Sequence, residues 1–306
     1  MKNRFNLTSL LVILLISSLL LTISCSKENS QSGTDAEEEE IAQVSAESGA
    51  EAETVFNEFF DDAMGADNNV GVSGSGVFFN RGDSLTPVPR CFTITVTHPN
   101  GTPFPAIVEL NFGTVGCPGP DGRVRRGKMI TEYSNRLILP GAVATTTFDG
   151  FYVDAVHVEG THVITNISGA PIPPATIARK FKVEVINGKL SQPNGNFIEW
   201  NSTKTITQVD GLLTPDFPRD DAFKIEGAGH GVVKRGNLLA RWESSITEPL
   251  LRRFTCRWIV KGRIRTVRVN LPANSRWVPI LDFGAGNCDN QATITINGIT
   301  RQITLP

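Results

Sequence analysis

The stretch Phe181-Lys-Val-Glu-Val-Ile-Asn-Gly188 sets the fold class. Apolar and charged side chains alternate from Phe181 to Val185, the period-two pattern of a strand with one covered face. Asn187-Gly188 follows, and Asn-Gly between alternating runs is the strongest short-range signal for a hairpin turn. The same grammar recurs after residue 70. Cys91-Phe-Thr-Ile-Thr-Val-Thr97, Ile107-Val-Glu-Leu-Asn-Phe112 and Thr293-Ile-Thr-Ile296 read as strands. Pro99-Asn100-Gly101, Asn194-Gly195, Asp210-Gly211 and Asn297-Gly298 read as turns. Strand signals about 8–12 residues apart, with no helical runs between them, argue against βαβ units. The class is therefore all-β: an antiparallel sandwich or meander with internal repeats, preceded by one N-terminal helix.

Two echoes carry the repeats. Phe181-Lys182-Val183-Glu184 returns 42 residues later as Phe223-Lys224-Ile225-Glu226, and Trp200-Asn201-Ser202 returns at the same offset as Trp242-Glu243-Ser244. Asn111-Phe112-Gly113 with Cys117 returns 171 residues later as Asp282-Phe283-Gly284 with Cys288. The β region spans 70–306, with candidate units at 88–135, 181–210, 223–250 and 254–306.

The formal net charge of −2 over 306 residues hides three segments. Residues 1–25 carry +2, residues 26–67 carry −12 and residues 68–306 carry +8. Near-neutrality excludes a strongly basic nucleic-acid binder, and no nucleic-acid partner is expected. In the acidic segment, Val55, Phe56, Phe59, Phe60 and Met64 fall on one face at helical spacing. A helix is expected over 37–66, its C-terminal half docked on the body and its acidic first half too polar to pack. Residues 25–36, mostly small, polar and charged, are expected to form an acidic tether.

The N-terminus reads as an address. Lys2 and Arg4 precede an apolar run from Leu10 to Ile23, which is shorter than the roughly 20 residues of a spanning helix. A signal peptide over 1–24 is expected. Ser24-Cys25-Ser26 resembles the lipobox of bacterial lipoproteins, although Thr22 stands where that motif has Leu. The resemblance implies lipid on Cys25, a membrane partner through that lipid and an address in the cell envelope, as an outer-membrane lipoprotein with possible surface exposure. Ser26-Lys27-Glu28 and the acidic tract resemble the surface-export tags of Bacteroidota lipoproteins. The Asn/Asp-Phe-Gly turn followed by Cys, together with the Asn-Gly strand pair at the C-terminus, is similar to a group of uncharacterised Bacteroidota surface lipoproteins. That likeness covers most of 91–306 and implies no activity. Asp83-Ser84-Leu85 resembles their O-glycosylation motif, which implies a glycan on Ser84.

With Cys25 lipidated, Cys91, Cys117, Cys256 and Cys288 remain, an even number that suits disulfides in an exported protein. Three pairings are open; the duplication favours Cys91–Cys117 and Cys256–Cys288. A zinc site is the alternative, though no Cys-x-x-Cys occurs.

Chemistry is sparse. His157, Glu159 and His162 are the one metal-like cluster, provided that a turn at Gly160-Thr161 brings His162 back toward the other two. They support the alternative function, a carbohydrate-active or metal-dependent hydrolase. Glu109, Glu132, Glu159, Glu199 and Glu243 offer carboxylates, with nothing to fix a catalytic separation. No cofactor-binding loop is present, and no cofactor is expected. Trp200 and Trp242 are candidates for sugar stacking, against the alternative of core packing. Arg252, Arg253, Arg257, Lys261, Arg263, Arg265 and Arg268 form a basic stretch that could bind anionic polysaccharide or an envelope protein, or dock the acidic helix of the same chain. Arg81-Gly82-Asp83 reads as a chance loop tripeptide. The expected function is a lipid-anchored envelope protein with a non-catalytic structural or binding role.

Overall fold

The computed structural model describes residues 35–71, 91–119, 122–169, 178–213, 220–271 and 275–305. The leader, Cys25, nearly all of the tether, Arg81-Gly82-Asp83 and Ser84 lie outside the described residues. One helix, α1 (Asp35–Gly71), comes first. Then follow β1 (Thr93–Thr97), β2 (Ala106–Asn111), β3 (Cys117–Pro118), β4 (Val124–Tyr133), β5 (Val143–Val153), β6 (Val156–Asn166) and β7 (Lys180–Ser191). The second half holds β8 (Phe197–Asp210), β9 (Ala222–Arg235), β10 (Leu238–Arg253), β11 (Lys261–Arg268), β12 (Ile280–Ala285), β13 (Gln291–Ile296) and β14 (Ile299–Thr304).

These strands form one open antiparallel sheet in which each strand pairs with the next in sequence, the short β3 lying off the path against β4. The fold is all-β with one N-terminal helix, and it is the meander rather than the sandwich. In place of a second sheet, α1 covers the inner face. Strands as far apart along the sheet as β2, β5, β6, β8 to β11 and β13 touch it, so the sheet must curve around the helix axis. Asn297 and Gly298 both have positive φ in the two-residue β13–β14 turn, the geometry Asn-Gly favours. Asn187-Gly188 behaves otherwise: it lies inside β7 as a bulge opposite Gly160 of β6, not as a hairpin turn. An added Cβ on Gly160, at φ +112°, would stand 2.7 Å from the Asn187 carbonyl oxygen, so the bulge requires glycine there.

α1 is buried nearly all round. From Ala42 to Met64 only Gln43, Glu47 and Glu51 are partly open, a single i, i+4 line along the helix. The C-terminal half packs as expected: Phe60 meets Phe181 and Phe223 edge-on at 5.5 and 5.6 Å, and Phe59 lies 4.7 Å from Phe148. The first half corrects the expectation, because it packs too. Apart from Val44, most of its buried residues are small, namely Ala42, Ser45, Ala46, Ser48, Gly49, Ala50 and Ala52, which allows close approach to the sheet.

Candidate functional site

The acids of α1 meet bases carried by the strands and by the connections between them. Glu38 pairs with Arg268 at 2.9 Å, Glu47 with Arg235 at 2.9 Å and Asp35 with Arg276 at 2.5 Å. Glu53 pairs with Lys204, both within 5% of full burial. Asp61 takes Arg252 through both oxygens, one bond at 2.6 Å, and Arg252 also donates to the Asn57 carbonyl at 3.0 Å. Glu58 gathers Arg257 at 3.0 Å, Arg125 at 3.2 Å and Arg123 at 3.6 Å. The basic stretch therefore divides. Arg252, Arg257 and Arg268 dock the helix, so Arg257 is not an open binding residue. Arg263 lies on the outer face, held by Asp282 at 2.7 Å and Glu248 at 3.6 Å. Burial raises the Asp282 pKa, but hydrogen bonds from Arg263 and the Gly284 N–H, with the Arg263 charge, hold it below its usual value. Lys261 and Arg265, also on β11, have no ion pair among the described residues.

The proposed metal ligands do not converge. β6 runs straight through Gly160-Thr161 without a turn, so alternation sends His157 and Glu159 outward and His162 inward. His157 Nδ1 lies 3.5 Å from Glu159, and its ring lies tilted against Tyr152, the centroids 4.6 Å apart. His162 is buried beside Phe59; desolvation and then the Lys204 charge push its pKa down to about 3. No group of three metal-ligating side chains gathers among the described residues.

Trp200 and Trp242 are corrected as well. They stack on each other at 6.2 Å and are fully buried between the sheet and α1, closing off any sugar platform. They fit because β9 places glycine beneath them: a Cβ at Gly229 would stand 2.5 Å from the Trp200 ring, and one at Gly231 the same distance from Trp242. Cys91–Cys117 and Cys256–Cys288 are disulfides with Cα separations of 5.4 and 5.8 Å. Glu109 and Glu199 are engaged by Lys128 and Lys189, each at 3.2 Å.

A cavity of about 600 Å³ lies on the outer face across β7 to β11. The sheet register sets its plan. Glu184, Thr203, Ala228, Ser245 and Arg265 are partners in one cross-strand row. Asn201, His230, Glu243 and Val267 form the next row. The first row puts a carboxylate and a guanidinium at opposite ends of a small-residue floor; the second is an amide, an imidazole and a carboxylate in line. Of these residues the sequence marked only Arg265 and Glu243 as functional candidates, Glu184 and Asn201 entering solely through the 42-residue echo. The signal that was present is the alternation in Gly227-Ala-Gly-His-Gly231, whose Ala228 and His230 face the cavity while Gly229 and Gly231 make room for the tryptophans on the inner face. No family model, curated protein or solved structure matches the chain.

Proposed function

We propose that the chain is a lipid-anchored cell-envelope protein with a non-catalytic binding role, held by lipid on Cys25 and presenting the outer sheet face to an anionic glycan or envelope partner. The observation that carries the reading is the division of labour between the two faces. α1 and its ion pairs fill the inner face, while the outer face keeps a polar cavity and an arginine with no ion pair among the described residues. The lipid anchor rests on the sequence around Cys25. No helix among the described residues is long and apolar enough to cross a membrane.

The internal echoes belong to the same proposal, as a body built by duplication. Phe181 and Phe223 take corresponding places against Phe60. The two Asx-Phe-Gly turns each close with the Gly N–H donating to the Asn111 or Asp282 side chain at 2.9 Å.

Metabolic labelling with a palmitate analogue, followed by membrane fractionation, tests the anchor. The wild-type chain should carry label and sediment with the envelope, and Cys25→Ala should do neither. Label on the Cys25→Ala chain would sink the anchor. A panel of acidic and neutral polysaccharides presented to the full chain in detergent tests the binding role, and an absence of retention on every acidic member would end the glycan reading.

A further inference from the structure

We infer that the cavity across β7–β11 is a binding site for a linear acidic oligosaccharide, with Arg265 taking a carboxylate of the sugar chain. The inference rests on the reading of the chain as a binding protein and names the ligand class and the place.

The register gives the site its length. Glu184 and Arg265 stand four strand spacings apart in one row, about 19 Å at roughly 4.8 Å per strand. Thr203, Ala228 and Ser245 between them are short, so a ligand can lie across the strands close to the backbone. The ends differ in charge. Glu184 is already paired with Lys182 at 2.8 Å. Arg265 is half-buried and has no ion pair among the described residues, whereas its neighbour Arg263 is held by Asp282. An arginine in that condition offers a planar fork to a carboxylate, the geometry in which it binds most strongly.

The ligand's body follows from what the site lacks. In mid-sheet, β8, β9 and β10 have neighbours on both sides, and their backbone amides are spent on the ladder. An extended peptide recognised by strand addition needs a free edge, which this position does not offer. A chain rich in hydroxyls needs only side-chain donors and acceptors. Asn201, His230 and Glu243 supply these in one line, with the Thr203 and Ser245 hydroxyls beside them. Asn201 is oriented, because its Oδ1 accepts from the Asn187 N–H at 2.8 Å.

Calorimetric titration of the full chain in detergent with oligogalacturonate tests the site, with the methyl-esterified oligomer and a lysine-serine-glutamate peptide of equal length as comparisons. The acidic oligomer should bind, the ester about tenfold or more weakly, and Arg265→Ala should lose a similar factor while Arg263→Ala does not. The ester comparison uses only the wild-type chain, so it stands even if a variant folds poorly. Slowed backbone exchange on binding should centre on β8 to β10. Binding of the acidic oligomer that Arg265→Ala leaves unchanged would overturn the site and leave the glycan reading intact. Preference for the peptide would overturn the ligand class. No binding of the acidic oligomer would overturn the site, and the Cys25 labelling result would stand apart from it.

Discussion

Protonating His162 means placing a charge beside Phe59 on the inner face, with the Lys204 ammonium already near. The folded chain therefore holds this imidazole neutral down to about pH 3, whereas the unfolded chain binds the proton near 6.5. The unfolded state binds more protons between these values, so stability from this group is whole above 6.5 and falls as pH drops toward 3. Between pH 7 and 4 the loss is about 3 kcal/mol. His162→Leu should remove that part of the pH dependence in urea unfolding, and equal slopes for both proteins would refute the assignment. Asp221 acts in the opposite sense. Burial pushes its carboxyl up to about 6, against the pull of Arg179 and a 2.7 Å hydrogen bond from Gln208. Its folded state holds the extra proton, so its contribution fades as pH rises through 4 to 6. Asp221→Asn should steepen the rise in stability between pH 4 and 6, and a shallower rise would count against the assignment.

At the scale of elements, α1 shows what can and cannot be read along a chain. The spacing from Val55 to Met64 located the docked half, because an apolar stripe at 3.6 residues has one meaning. The acidic half, read in isolation, belonged in water. Its burial depends on Arg268, Arg235 and Lys204, which lie more than a hundred residues away and reach it only through the curvature of the sheet. The bulge at Asn187-Gly188 escaped for a related reason: the same dipeptide serves a turn or a bulge, and the paired strand decides. The Glu53–Lys204 pair makes the energetics testable. Removing one partner leaves an uncompensated buried charge, at about 3–5 kcal/mol. Replacing both with apolar residues of similar size comes close to break-even. Glu53→Met and Lys204→Met should each be strongly destabilising, and the double variant should recover most of the loss in chemical unfolding. Additive losses would show that the two charges do not depend on each other.

Across the whole molecule, Glu58 ties together parts of the sheet that are far apart along its path. Arg125 comes from β4, in register with Cys117 of the first disulfide. Arg257 comes from the β10–β11 connection, next to Cys256 of the second. Six strands separate β4 from β11 along the meander, yet both regions reach one carboxylate, so the open sheet is held around α1 by a central acid and two peripheral staples. The cysteine pairing was legible from the echoed Asx-Phe-Gly turns, since each disulfide joins the Cys after such a turn to the Cys before it. The outer cavity was not, because its rows join residues from five strands and only the register aligns them. The second staple closes a separation of 32 residues, which chain entropy values at about 3–4 kcal/mol. Glu58→Gln removes the carboxylate shared by Arg257, Arg125 and Arg123, of which Arg123 keeps Asp154 at 3.1 Å, and should cost a similar amount. The two losses should overlap. Once Cys256→Ala and Cys288→Ala release the connection carrying Arg257, part of what Glu58 holds is already loosened, so the combined variant should lose at least about 1 kcal/mol less than the sum of the parts. Strict additivity in denaturant titrations would mean that the staple and the acid stabilise the fold independently, and that Arg257 keeps its place without the disulfide.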